Sequence, residues 1–133
     1  MKKKLIIASL FLLSAAANAS VITTIQPLNL KANVGRLCYP RASYSITINN
    51  DTNSAQTYRY DAKLVPQGMQ PYQDQQKVVT VAAHSSYHEA FDLWEEIKYL
   101  DVMTYLLTAS VTVTGAEYYQ DQKTSFITVY PTQ

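Results

Sequence analysis

From about residue 20 onward, apolar and polar residues alternate with a period of two, the signature of half-buried strands. Val21 to Ile25 is rich in β-branched residues and is broken by Pro27. Leu28, Leu30, Ala32 and Val34 then alternate with polar residues as far as Gly35. A proline has no N–H to give a ladder, so this stretch predicts an edge strand that is interrupted and restarted. Tyr44, Ile46 and Ile48 form the next apolar face, and Asn49 to Ser54 supplies strong turn chemistry after it. Tyr58, Tyr60, Ala62 and Leu64 form another, with Arg59, Asp61 and Lys63 opposite, so that strand is expected to be wet on one side.

Pro66-Gln67-Gly68 closes that strand, and Met69 to Gln76 reads as a polar loop. A strand follows from near Lys77, with Val79 and Val81 inward. Another starts at Ser85, with Tyr87, Phe91 and Leu93 on one face. Trp94, Ile97 and Leu100 fall at helical spacing, so a short helical turn is expected between Leu93 and Leu100. Thr104 to Thr114 has the clearest alternation, with Tyr105, Leu107, Ala109, Val111 and Val113 on one face. Gly115 to Gln122 reads as a polar turn. Phe126, Thr128 and Tyr130 then alternate against Ile127 and Val129 until Pro131. Seven or eight short strands separated by turn signals predict an all-β, antiparallel sandwich with Greek-key connections.

The first segment has a different character. Lys2, Lys3 and Lys4 precede the apolar run Leu5 to Leu13, and Ala17-Asn18-Ala19 is a small-x-small cleavage site. Residues 1–19 are therefore expected to be a signal peptide, and residues 20–133 a single sandwich domain. The apolar run is too short to span a bilayer as a permanent helix, and no second span follows it, so no membrane span is expected after cleavage. The short Lys-rich start suggests a bacterial exporter and a periplasmic or secreted location. Of 133 residues, 133 − 19 = 114 then remain, with 11 − 3 = 8 basic against 10 acidic side chains, a formal charge of 8 − 10 = −2. That balance gives no electrostatic footprint for nucleic acid or for anionic lipid. A single cysteine, Cys38, rules out an internal disulfide. It reads as a buried thiol or as the link of an intermolecular, Cys38-linked dimer.

Asp101-Val102-Met103-Thr104-Tyr105-Leu106-Leu107 has the spacing of the immunoglobulin E–F corner, and in this respect the chain resembles the immunoglobulin-like superfamily. The resemblance implies that the Tyr105 hydroxyl bonds backbone a few residues upstream. It also implies that Leu107 takes the place of the antibody cysteine, and that Tyr58 and Tyr60 supply the aromatic core. Ala42 to Asp51 followed by Tyr58, and Val79 to Ser86 before Phe91, are similar to parts of the PapD-like periplasmic domains. That second resemblance bears on fold alone, because fold does not transmit function.

Candidate chemistry is sparse. His84 and His88, with Glu89 and Asp92 near, are the one metal-like cluster; residues four apart on a strand or helix share a face. No nucleophile elbow, phosphate-binding glycine loop or metalloprotease helix is present, so no enzyme activity and no cofactor are expected. Tyrosine is abundant, at 11 residues. Tyr39, Tyr72, Tyr118 and Tyr119 fall in polar stretches, where tyrosine gives rigid contact area at low entropic cost. Tyr72-Gln73-Asp74-Gln75 recurs as Tyr119-Gln120-Asp121-Gln122. This predicts two loops at one end of the sandwich that form one binding surface. The reading that follows is a non-enzymatic interaction module that binds another envelope or surface protein through these loops or through an edge strand at Leu28 to Val34. The alternative is a small-ligand binder, with metal at His84 and His88 or glycan on the loop tyrosines.

Overall fold

The computed structural model describes residues 19–68 and 73–132. The regular structure in them is extended: β1 (Ala19–Pro27), β2 (Leu30–Asn33), β3 (Leu37–Cys38), β4 (Arg41–Asn50), β5 (Gln56–Pro66), β6 (Gln73–Val81), β7 (Ser85–Trp94), β8 (Ile97–Lys98), β9 (Thr104–Thr114) and β10 (Tyr118–Tyr130). Residues 1–18 of the expected signal peptide, and Tyr72, lie outside the described residues.

Pro27 is where the chain changes sheets. Before it, β1 pairs with β4 in the sheet β1-β4-β7. After it, β2 joins the sheet β2-β10-β9-β5-β6, and the Leu28 N–H donates to the Arg41 carbonyl at 3.1 Å across the switch. The expected interruption is thus a crossing between layers. β2 runs parallel to the last strand, Leu30–Asn33 beside Ile127–Tyr130, whereas the other pairings are antiparallel. A first strand shared between two sheets, its second half parallel to the last strand, is the order of an immunoglobulin-like sandwich. β3 and β8 form a small ribbon beside the two sheets.

Alternation places the core. Ala42, Tyr44, Ile46 and Ile48 of β4 face Tyr58, Tyr60, Ala62 and Leu64 of β5 and Leu107, Ala109, Val111 and Val113 of β9, all buried. Each large aliphatic side chain removed from water stabilises the fold by roughly 1.5–3 kcal/mol. The sheets are also joined by an aromatic stack. Phe91 lies 5.2 Å from Tyr44 of its own sheet and 5.8 Å from Tyr60 of the other, with both ring pairs near parallel. The Tyr44 hydroxyl then donates to the Lys63 carbonyl at 2.6 Å, reaching across the layers.

Several expectations need correction. The segment after Leu93 is not helical: β7 runs through Trp94, and Ile97–Lys98 pairs with Leu37–Cys38. Ile97 and Tyr99 turn inward while Trp94 and Leu100 stay exposed, and the Glu95 N–H bonds the Pro40 carbonyl. Cross-strand bonding there outweighs a helical spacing of only three residues. The polar stretch before Lys77 is strand from Gln73, and Tyr118 to Gln122 is strand rather than turn. Both are strand ends with little apolar cover, so their sequences need no apolar alternation. Tyr105 does not form the corner bond that the resemblance implies: among the described residues no hydrogen bond joins its hydroxyl to upstream backbone, and its ring lies 4.2 Å from Tyr99. Leu107, Tyr58 and Tyr60 are in the core as expected.

Candidate functional site

The described parts of the two Tyr-Gln-Asp-Gln segments start their strands at opposite ends of the five-stranded sheet. Gln73 enters β6 opposite Leu64, beside the Pro66–Leu107 end of the five-stranded sheet, whereas Tyr118 enters β10 opposite Thr114, at the other end. Tyr72, the remaining member of the expected surface, lies outside the described residues, and the Tyr118–Tyr119 pair starts β10 just after the β9–β10 hairpin. Tyr118 is exposed. Tyr119 is half-buried, and its hydroxyl lies 3.1 Å from Thr23 Oγ1, which also contacts the Asp121 carboxylate at 3.1 Å. Tyr118 and Tyr119 line a cleft of about 420 Å³ with Ser20, Gln56, Tyr58 and Glu117.

The two histidines face different partners. His84 precedes β7 in a left-handed turn (φ 54°), with its ring nitrogens 3.3 Å from the Asp51 carboxylate and 2.8 Å from the Asn53 amide oxygen. The His88 ring lies 2.8 Å from Thr47 Oγ1. Four residues of extended chain span about 13 Å, so sharing a strand face does not bring two imidazoles to one ion. Among the described residues no group of three or more His, Cys, Asp or Glu side chains is placed to hold a metal. Cys38 is buried in β3 against Ile97, and burial pushes its thiol pKa up, away from the reactive thiolate.

Glu89, read from sequence as a metal neighbour, is the hub of a polar cluster. It shares the inward face of β7 with Tyr87 and Phe91. Oε1 accepts from the hydroxyls of Tyr60 and Tyr87, the latter at 2.7 Å, and Oε2 lies 3.3 Å from Lys77 Nζ. Gln75 donates to the Tyr60 oxygen at 2.8 Å. Burial alone would raise the Glu89 pKa, but the hydrogen bonds from Tyr60, Tyr87 and Lys77 and the Lys77 charge outweigh it and hold the carboxyl below its ordinary value. The cluster ties β5, β6 and β7 together where the sheets part. Its carboxylate already has three donors, which suits a structural tie.

Six of the twelve large exposed apolar side chains among the described residues lie on segments that meet where β9 begins and β10 ends. Leu37, Leu100, Val102, Met103, Phe126 and Tyr130 are all exposed, Leu100 to 73%. Backbone bonds bring their segments together: Val129 N–H to Met103 O at 3.0 Å, Gly35 N–H to Tyr99 O and Val34 N–H to Tyr130 O at 2.9 Å. Beside them β2 pairs with β10 on one side and leaves its other edge open. Sequence reasoning found the edge strand but missed the patch, because its six members come from three segments far apart in the chain that converge only in the fold.

Comparison with known proteins yields loose likenesses. No protein family and no curated protein matches the sequence. The CARDB domain of the PF1109 protein from Pyrococcus furiosus, solved in complex with di-metal ions, is similar with a TM-score of 0.40 and 14% identity, over 84% of this chain and 89% of that one. A β-glucosidase from Listeria innocua, solved with glucose, gives a TM-score of 0.47 at 14% identity, over 86% of this chain and 17% of that one. The PapD-like domain of human CEP192 gives 0.34 at 5% identity, over 89% of each chain. All are loose likenesses, and the immunoglobulin-like assignment stands on the strand order described above.

Proposed function

We propose that this chain is an exported, non-enzymatic module that docks onto another protein of the cell envelope or surface. The observation that carries the reading is the patch of Leu37, Leu100, Val102, Met103, Phe126 and Tyr130 beside the open edge of β2. Clustered exposed apolar side chains of this kind mark interaction sites. An adjacent unpaired strand edge offers a partner backbone hydrogen bonds as well as apolar contact. The charged n-region, apolar run and cleavage site of residues 1–19 support export.

Native mass spectrometry of protein gently purified from its own host envelope tests this. A second polypeptide is expected with the natural chain and is expected to be lost from a Leu100→Glu, Val102→Glu variant whose thermal midpoint is unchanged. A bare monomer from the natural chain, or a partner equally retained by the variant, would overturn the reading.

A further inference from the structure

The only tryptophan in the chain stands in water. Trp94, at the end of β7, is 53% exposed, and Tyr39, in the connection before β4, is 50% exposed. Their ring centroids are 6.1 Å apart at an interplanar angle of 60°, so the two rings form a corner rather than covering one another. Leu28, Arg41 and Asp92 complete an open depression of about 500 Å³ around them.

The two charges in this depression are unused. Arg41 is directly opposite Trp94 and Asp92 directly opposite Ser43 in the β4–β7 ladder, so Arg41 and Asp92 sit diagonally on one outward face. Neither side chain makes an ion pair, hydrogen bond or ring contact among the described residues. The site therefore offers a donor-only guanidinium, an acceptor-only carboxylate and two exposed aromatic faces. A cationic ligand would satisfy Asp92 and be repelled by Arg41, and an anionic ligand the reverse. A neutral polyhydroxyl ring meets both, since each hydroxyl donates and accepts. Its C–H face also matches the aromatic surface. We propose that the Trp94–Tyr39 depression, with Arg41 and Asp92, is a binding site for a neutral pyranose oligosaccharide. This site lies on the outward side of the three-stranded sheet and does not depend on the protein-docking reading.

Because Trp94 is the sole tryptophan, its fluorescence reports the site without labelling. Cellotriose, maltotriose and triacetylchitotriose would each be titrated into the full mature chain to millimolar levels, with a proline-rich decapeptide in parallel. Expected is a saturable change in emission with at least one trisaccharide, and none with the peptide. For that sugar, Asp92→Asn and Arg41→Gln are each expected to weaken apparent affinity about tenfold or more with unchanged melting temperature. Tyr39→Ala is expected to abolish the change. No response to any of the three sugars, or a response that all three variants retain, would overturn the proposal. So would saturable binding of the peptide alone, which would make the depression a protein-recognition groove. Natural-abundance saturation-transfer NMR on Trp94→Ala, which lacks the fluorophore, should show loss of sugar contact; retained transfer would equally overturn the assignment.

Discussion

Asn50 is the side chain with the most hydrogen-bond partners among the described residues. It is fully buried at the end of β4. Its amide nitrogen lies within hydrogen-bond reach of the Ser54, Val81 and Ala82 carbonyls (2.9, 2.9 and 3.1 Å), and its oxygen accepts from the Thr52 N–H and hydroxyl. It thus joins the β4–β5 turn to the end of β6. Asn50→Ala leaves several buried groups unpaired and should cost about 2–3 kcal/mol in urea unfolding; a loss under about 0.5 kcal/mol would mean the turn holds without it. Asn50→Asp, which keeps the shape but removes the amide donor, should not restore the loss. Glu89 makes a different prediction, in pH. Its folded pKa lies below the ordinary value near 4.5, so its contribution is present above that value and is lost as pH falls through the folded pKa. Urea midpoints of the natural chain and Glu89→Gln should therefore differ most at neutral pH and converge on acidification below 4.5. A constant gap across that window would show that the Glu89 charge is not the source of the tie. Neither role was legible in sequence. Asn50 reads as one more turn residue and Glu89 as a neighbour of His88, because the partners that tie them to other strands, Val81 and Tyr60, lie 31 and 29 residues away.

The strands that the sequence made legible are the central ones. β4, β5 and β9 have partners on both sides, so every second residue had to be apolar, and the expected Thr104–Thr114 matches β9 end for end. β6 and the first half of β10 were obscured by a run of Gln, Asp and Lys, because most of the side chains there are exposed. The repeated Gln-Asp-Gln is thus a pattern of polar strand starts, and the fold puts its two copies at opposite ends of the sheet. Two element-scale tests follow from contacts that alternation could not show. Phe91 is stacked between Tyr44 and Tyr60 and so couples the sheets. Phe91→Ala should destabilise by about 3 kcal/mol in chemical denaturation, whereas Phe91→Tyr, which keeps the ring, should cost much less. Equal effects of the two would mean that the stack is incidental. At the β9–β10 hairpin, a Cβ on Gly115 would stand 2.5 Å from Cδ1 of the buried Tyr58 ring. Gly115→Ala must displace a core side chain, so its melting temperature should fall, and Tyr58→Leu in the same chain should recover part of the loss.

At the scale of the whole molecule, the two ends of the sandwich differ in chemistry. Asn50, Thr52, His84, Asp51 and Asn53 interlock in polar turns at one end, while the other carries Leu100, Val102, Met103, Phe126 and Tyr130 into water. A core of buried Ile, Leu, Val and Tyr already holds the sheets, so these exposed side chains contribute little to folding and leave an energetic cost that a partner can remove. In the absence of a partner, the same surface should bring copies of the chain together. Sedimentation velocity across a dilution series should show weak, concentration-dependent association of the purified mature chain. The association should strengthen on moderate warming, as expected for apolar contact near room temperature. Leu100→Glu with Val102→Glu places two like charges on that end and should leave a monomer at every concentration with an unchanged unfolding midpoint. A fall in midpoint would instead assign both residues to the stability of the fold. Association that persists in the variant would move the contact to an open strand edge, where Lys31→Pro in β2 should then abolish it: the Val34 N–H bonds Tyr130 of β10, so by alternation the Lys31 N–H faces the open side.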